Sequence, residues 1–281
     1  MSILVIGATG ALGRLLLPEL HRRGVAAVDI TAAGRNRQVL DTFAAEGYRT
    51  ARVDLDDTDQ IRAAVSGHDQ VVLISGKDPH RLRQHRAVID AAKATGARHL
   101  FYTSGVRADD PGFVLGADHQ ATEDAIRQSR LRYTILRNGW YIENYLGAMH
   151  GAAQTGVLTA AVGDGRVAPA GRRDFAEALA AVITTDGHDN QTYSLTGDTD
   201  YTYADLADAM AKVLGRPVTY RPADAQQYRA MLTGAGLDAQ TAGFLAALDA
   251  NLGAGIMAYA GDDLTRLIGH PTMSLIDGLS Q

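Results

Sequence analysis

Three glycines stand three apart in Gly7-Ala8-Thr9-Gly10-Ala11-Leu12-Gly13, between an apolar run (3–6) and a stretch with leucines at helical spacing. A strand that turns on glycine and re-enters as a helix makes an anion cradle. Gly7 permits the turn, Gly10 lets a diphosphate approach bare backbone, and Gly13 lets the helix pack close to the sheet. Backbone N–H groups and the positive end of the helix dipole then face the anion. The spacing is one residue longer than the G-x-G-x-x-G dinucleotide fingerprint, but the flanking strand and helix are the context that fingerprint requires. A dinucleotide site is the expectation, and a ligand-free glycine turn the alternative.

About 20 residues past such a loop, at the end of the second strand, an acidic side chain on the ribose diol selects NAD. Here that end reads Ala32-Ala33-Gly34-Arg35-Asn36-Arg37, and the nearest acid, Asp29, falls earlier. A guanidinium fork matches a 2′-phosphate in charge and shape. Arg35 therefore points to NADPH as the preferred coenzyme, with NADH as the lesser one; a solvated loop arginine is the alternative. Asp54, after the third strand, is placed either to accept from an adenine amino group or to cap the next helix. Ser75-Gly76-Lys77 ends the fourth strand, where the ribose beside the nicotinamide passes. Thr103 and Ser104 end the fifth, and either contact cofactor or substrate or cap the strand.

Other chemistries are absent. The Tyr-x-x-x-Lys pair that donates a proton in many dehydrogenases needs a tyrosine four residues before a lysine. The lysines are Lys77, Lys93 and Lys212, and those positions hold Leu73, Ile89 and Asp208. Neither H-E-x-x-H nor G-x-S-x-G occurs, which removes a zincin and a nucleophile elbow. With no cysteine, thiolate catalysis, cysteine-ligated metal and disulfides are excluded. No metal is expected. A net charge of −5 gives no electrostatic footprint for nucleic acid. Apolar residues make up 46% and charged residues 21%, an ordinary globular balance. No apolar run approaches the ~20 residues that span a bilayer, and no basic leader or cleavage site precedes residue 3. A cytoplasmic protein without a membrane or nucleic-acid partner is the expectation.

These groups need elements to hold them. Short apolar runs at 3–6, 25–33, 48–53, 71–74, 99–103 and 133–136 read as strands. Amphipathic stretches at 12–23, 37–46, 56–66, 85–95 and 117–129 alternate with them as helices. Such alternation gives right-handed βαβ units and a parallel sheet covered on both faces. After Asn138 the pattern changes. Helices are expected at 141–154, 174–184, 202–214, 223–235 and 238–248, a strand at 191–195, and 262–268 as the end of the ordered chain. Thr202 with Asp205 three residues on reads as a capping box. The fold class is α/β: a Rossmann-type, doubly wound parallel sheet over residues 1–137, with part of 165–195 returning to it. Residues 138–281 form a smaller, mostly helical substrate-side domain.

Arg137-Asn138-Gly139-Trp140-Tyr141-Ile142-Glu143-Asn144-Tyr145 holds the sole Trp and two Tyr just past the sixth strand. On residues alone it is either an aromatic wall for a flat ligand or domain-junction packing. Together with the glycine loop it resembles the NmrA-like branch of atypical short-chain dehydrogenases. More closely, it resembles the bacterial NAD(P)H:quinone oxidoreductase 2 group and its relative triphenylmethane reductase. Gln84-His85, Ala91-Ala92-Lys93, Tyr102-Thr103-Ser104, residues 134–145 and residues 264–271 match as well, so the resemblance covers essentially the whole chain.

The resemblance implies an NADPH-binding reductase of quinones. It places coenzyme contacts on Gly7, Ala8, Thr9, Gly10, Ala11 and Leu12, on Arg35, and on Ser75-Gly76-Lys77. It adds Asn138, Gly139, Trp140, Tyr141, Ile142 and Glu143, and Arg172. The chain departs from the pattern at 75–79 and at 105–116, so the acceptor stays open. Where related reductases carry a lysine, this chain has Asp118-His119-Gln120. His119 is either the proton donor or a helix-surface histidine. A quinone yields a stabilised hydroquinone anion and needs only a weak acid, which suits a site without Tyr-x-x-x-Lys; Asn138 or Tyr141 would hydrogen-bond the oxyanion. A small-molecule, quinone-like substrate and a monomer or homodimer complete the expectation. The alternatives are an NAD(P)-binding redox sensor without turnover and a reductase of dyes or imines.

Overall fold

The computed structural model describes residues 2–281; Met1, where the reading of the N-terminus begins, lies outside them. The chain divides into two compact units. The first runs to Ala108 and takes in Asp118–Asn138 and Phe175–Tyr193; the second comprises Asp109–Ala117, Gly139–Asp174 and Ser194–Gln281. Among the described residues no helix is long and apolar enough to cross a membrane.

In the first unit, strand and helix alternate as β1 (Ile3–Ile6), α1 (Ala11–Arg22), β2 (Ile30–Gly34), α2 (Arg37–Ala45), β3 (Arg49–Arg52), α3 (Thr58–Val65), β4 (Gln70–Ile74), α4 (Arg81–Thr95), β5 (His99–Gly105), α5 (Gly116–Ser129) and β6 (Arg132–Asn138). The sheet order is β3-β2-β1-β4-β5-β6, completed by the later strand Gln191–Leu195. All pairings from β3 to β6 are parallel. Strand order therefore reverses between β1 and β4, and in open sheets of this kind ligands bind at the carboxyl ends of the strands flanking that reversal.

Both faces are covered, which is why these strands read as apolar runs without alternation. Leu4, Ile6, Val71, Leu73, Leu100 and Ile135 pack on one face against Ile61, Val65, Val88, Ile89 and Ile126 of the helices. Leu16, Leu17 and Leu20 of α1 are fully buried, as are Ile3, Val5 and Ile30.

Several boundaries move. The second strand starts at Ile30, because Ala27–Asp29 forms a single 3-10 turn before it. α4 starts at Arg81, one turn before residue 85. β5 and β6 run on through Gly105 and Asn138, and pair Ser104 with Arg137 and Gly105 with Asn138. Ser104 is thus an interior strand residue, not the strand-end cap.

The second unit continues with α6 (Leu146–Thr155), β7 (Val157–Ala160), β8 (Arg166–Val167), α7 (Arg172–Thr184, which passes into the first unit), β9 (Gln191–Leu195), β10 (Tyr201–Thr202), α8 (Tyr203–Leu214), β11 (Thr219–Pro222), α9 (Ala225–Gly234), α10 (Ala239–Gly253), α11 (Asp263–Ile268) and α12 (Leu275–Leu279). The helix expected at 141–154 divides into a 3-10 turn, Ile142–Tyr145, and α6. Residues 151–171, rich in Gly and Ala, carry β7 and β8, which pair with β11 and β10. Order does not end at 268, since α12 follows, capped by Ser274. The capping box at Thr202 and Asp205 is complete. Within this unit Asp249 is buried, accepts from the Ala161 amide at 2.8 Å and takes a hydrogen bond from Tyr228.

Candidate active site

The glycine loop leaves β1 at Gly7, whose φ of +88° an L side chain rarely adopts. The Gly7 and Ala8 amides donate to the Ala33 carbonyl at 3.1 and 3.0 Å, clamping the turn onto β2. A Cβ on Gly13 would stand 2.5 Å from Ala8 Cα, so only glycine lets α1 start this close to the loop. α1 begins at Gly10 with no side-chain cap. Its first-turn N–H groups have no intrahelical partner, and so remain available to an anion. Ala8, Leu12 and Gly13 are buried supports of the turn; Gly10 and Ala11 form its exposed rim.

Arg35 follows directly on β2 and is exposed. It makes no hydrogen bond or ion pair with a described residue, whereas Arg37 lies 3.9 Å from Asp41. Its charge is felt weakly at Asp78, whose carboxyl is held below the usual range first by a hydrogen bond from the His80 amide, then by Gln84 and His80, and least by Arg35. Asp54 is exposed, and its Oδ1 accepts from the Asp56 amide at 3.1 Å. It does not cap α3; Asp57 does, accepting from Asp59 and Gln60. The capping alternative for Asp54 is therefore overturned, and its other carboxylate oxygen is left without a described partner.

Past β4, the Ser75 amide donates to Thr103 Oγ1 at 2.9 Å, tying the ends of β4 and β5 together. Gly76 and Lys77 are exposed. Ser104 Oγ donates to Glu123 at 2.7 Å. The same fully buried carboxylate receives Arg137 at 2.9 and 2.8 Å and Arg127 at 2.8 Å. Ser104 therefore spends its hydroxyl proton inside a buried ion network, and has none left to donate to a ligand. Asn138 is buried at the end of β6, its carbonyl accepting from Val106.

His119 is not a helix-surface histidine. It is buried, its ring lies against Gly105, and its Nδ1 is 2.8 Å from the Tyr102 hydroxyl. Burial, aided by Arg81, pushes its pKa down to about 4. Near neutral pH it carries no imidazolium proton, so the proton-donor reading fails in that form. Next to it, burial takes His85 to about 3 and raises the Tyr102 phenol.

In the second unit, the Arg172 guanidinium sits 4.9 Å from the centre of the Tyr141 ring. The Arg172 amide donates to the Glu143 carboxylate at 2.9 and 3.1 Å. Tyr141, Glu143 and Arg172 thus form one cluster, held by bonds from Ala170 to Trp140 and from Ile142 to Ala170. The Trp140 and Tyr145 ring centres lie 6.4 Å apart, and the buried Trp140 Nε1 has no hydrogen-bond partner among the described residues. Gly139 donates to the Leu195 carbonyl at 2.7 Å. Ile142 is fully buried and fills the space over Gly278, so its side chain is core and touches no ligand.

Tyr102, Glu123 and His85 escaped the sequence reading. The Gln84-His85 and Tyr102-Thr103-Ser104 strings were the available signal, but nothing in them says which side chains meet.

Residues 7–186 match the family model described as NAD(P)H-binding. Quinone oxidoreductase 2 of Escherichia coli is 38% identical over 99% of this chain and 97% of its own length. The NADPH-dependent quinone oxidoreductase of Escherichia coli complexed with NADPH superposes with a TM-score of 0.95 at 38% identity, covering 99% of this chain and 98% of that one. The Citrobacter triphenylmethane reductase complexed with NADP(H) superposes with a TM-score of 0.94 at 31% identity, covering 99% of each.

Proposed function

The chain belongs to the NAD(P)H-binding family, and from that premise we propose that it is an NADPH-dependent oxidoreductase that reduces a quinone or a similarly flat, conjugated acceptor. The observation that carries the proposal is the fit of the coenzyme to the first unit. A glycine loop in which a Cβ at Gly13 would clash with Ala8 leads into an uncapped helix start. Beside it stands Arg35, exposed and without a hydrogen-bond or ion-pair partner among the described residues. A 2′-phosphate supplies the missing anion; NADH does not.

Gly7, Thr9, Gly10 and Ala11 would hold the diphosphate, Arg35 the 2′-phosphate and Asp54 the adenine amino group. Ser75-Gly76-Lys77 and Thr103 would flank the nicotinamide ribose. Bound NADPH supplies a hydride; the remaining work belongs to the chain's own groups. Asn138 and Tyr141 are assigned as hydrogen-bond donors to the developing oxyanion. Trp140, Ile142, Glu143, Gly139 and Arg172 are assigned as further coenzyme contacts, Ile142 and Gly139 through backbone only. Ser104 acts from behind, through Glu123. A hydroquinone anion is stable enough to take its proton from water, so no Tyr-x-x-x-Lys pair is needed.

The likeness to triphenylmethane reductase favours dyes as a second acceptor class. The cytoplasm, where NADPH is replenished, is the proposed location, and a monomer or homodimer the proposed state. The test is loss of NADPH absorbance with 1,4-benzoquinones and with a triphenylmethane dye at fixed pH. Turnover with either supports the proposal. Coenzyme binding without turnover on any acceptor replaces it with a redox sensor.

A further inference from the structure

We propose that His119 is a neutral hydrogen-bond donor to the acceptor oxygen through Nε2–H, and that Tyr102 is the positioning residue that locks this tautomer. The inference rests on the reductase reading and adds a donor pair to it.

Proton directions around His119 are fixed by what each group can do. A carbonyl only accepts, so Thr122 Oγ1, 2.7 Å from the Asp118 carbonyl, gives its proton there. His85 Nδ1, 3.1 Å from the same hydroxyl, must then donate to it. Tyr102 is fully buried; its hydroxyl lies 2.8 Å from His119 Nδ1 and also interacts with Thr122, whose own proton is already given to Asp118. Burial keeps the phenol protonated, and the 2.8 Å contact to Nδ1 is the one through which its hydroxyl donates, so that Nδ1 accepts. A neutral imidazole carries one N–H, which leaves the proton on Nε2.

That N–H is not consumed inside the protein. Nε2 makes no hydrogen bond with a described residue. The charged and titratable neighbours are engaged elsewhere: Arg81 of α4 with Asp118 of α5 at 2.9 Å, His85 of α4 with Thr122, and Glu123 of α5 with Ser104, Arg127 and Arg137. The ring lies over Gly105, where a Cβ would stand 3.4 Å from Cδ2 and 3.7 Å from Nε2. Gly105 pairs with Asn138 at the carboxyl ends of β5 and β6, the end of the sheet at which open α/β folds bind ligands. A preorganised neutral donor there stabilises negative charge without having to lose a proton.

Histidine-selective 15N NMR reads the tautomer without any turnover. The wild-type protein should show His119 as the Nε2–H form from pH 6 to 8, and Tyr102→Phe should shift it towards a mixture. In turnover, His119→Gln, whose amide nitrogen overlies Nε2, should keep kcat within about 5-fold. His119→Asn and His119→Phe should lose ~10–100-fold in kcat with the KM for NADPH unchanged. Tyr102→Phe should lower kcat several-fold, with the same unchanged KM. An Nδ1–H spectrum in the wild type overturns the Tyr102 lock, and wild-type kcat in His119→Phe overturns the donor role. A wild-type protein that turns over no quinone removes the reductase reading and the donor role with it, while the spectrum still decides the lock.

Discussion

Gly34 faces Thr9 so closely that a Cβ at position 34 would fall 2.5 Å from Thr9 Oγ1 and 2.8 Å from its Cγ2. The last residue of β2 and the middle of the glycine loop are fitted to each other, and Arg35 is the next residue along. Gly34→Ala should push Thr9 out of place and disturb the diphosphate cradle and the Arg35 position together. Overpacking of this kind costs about 1–3 kcal/mol. The expected outcome is a fall of several degrees in Tm and NADPH binding weakened at least ~10-fold, read by thermal unfolding and calorimetry. An unchanged NADPH affinity contradicts the assignment of this corner.

Arg35→Ala should separate the two coenzymes. A charge-assisted hydrogen bond to a phosphate contributes roughly 1.5–3 kcal/mol, so NADPH binding should weaken ~10–100-fold while NADH binding changes little. Equal preference for the two coenzymes in both wild type and variant would remove Arg35 from the 2′-phosphate site.

Glu123 is fully buried, with Ser104, Arg127 and Arg137 all directed at it. Removing one partner of a buried ion pair leaves uncompensated charge, at about 3–5 kcal/mol. Glu123→Ala should therefore destabilise strongly, and Glu123→Gln less, as it still accepts from Ser104. Denaturant midpoints give the ranking, and the reverse order would contradict this account of the network.

Mild acid should act on the two units in opposite directions. His85 and His119 titrate near 3 and 4 in the folded protein, far below an unfolded histidine. Between pH 6.5 and about 4 the unfolded chain takes up protons that the folded one refuses, so the first unit loses stability as pH falls, by about 3 kcal/mol per histidine. Asp249 is raised to about 6, chiefly by burial. Between pH 6 and about 4 the folded state binds its proton first, so the second unit gains about 2–3 kcal/mol over the same interval. Hydrogen exchange resolved by segment at pH 4.5, 5.5 and 6.5 should show both trends, and Asp249→Asn should abolish the second.

The strand–glycine–helix grammar of residues 3–22 and the complete capping box at Thr202 and Asp205 were legible because their signals are local. The cap of α3 was not. Asp54 and Asp57 both precede it, and only the backbone path decides that Asp57 accepts the first-turn amides. The pairing of β7 with β11 joins residues about 60 apart through four-residue strands, too short to show a period. His119 reads as surface because Asp118 and Gln120 flank it, yet its helix turns that one side chain onto Tyr102. A polar residue's burial depends on which face of the helix docks, and that is set by the sheet. Loop-borne candidates such as Arg35 were accessible to sequence reasoning; the Glu123 and Tyr102 networks, made of residues distant in sequence, were not.

Direct hydride transfer from NADPH to a quinone is the claim on which the account depends, and NADPH deuterated at one or the other face of nicotinamide C4 tests it most directly. In single-turnover oxidation by 1,4-benzoquinone, one stereoisomer should react severalfold more slowly than the other. No oxidation at saturating coenzyme, or equal rates for the two isomers, would contradict it.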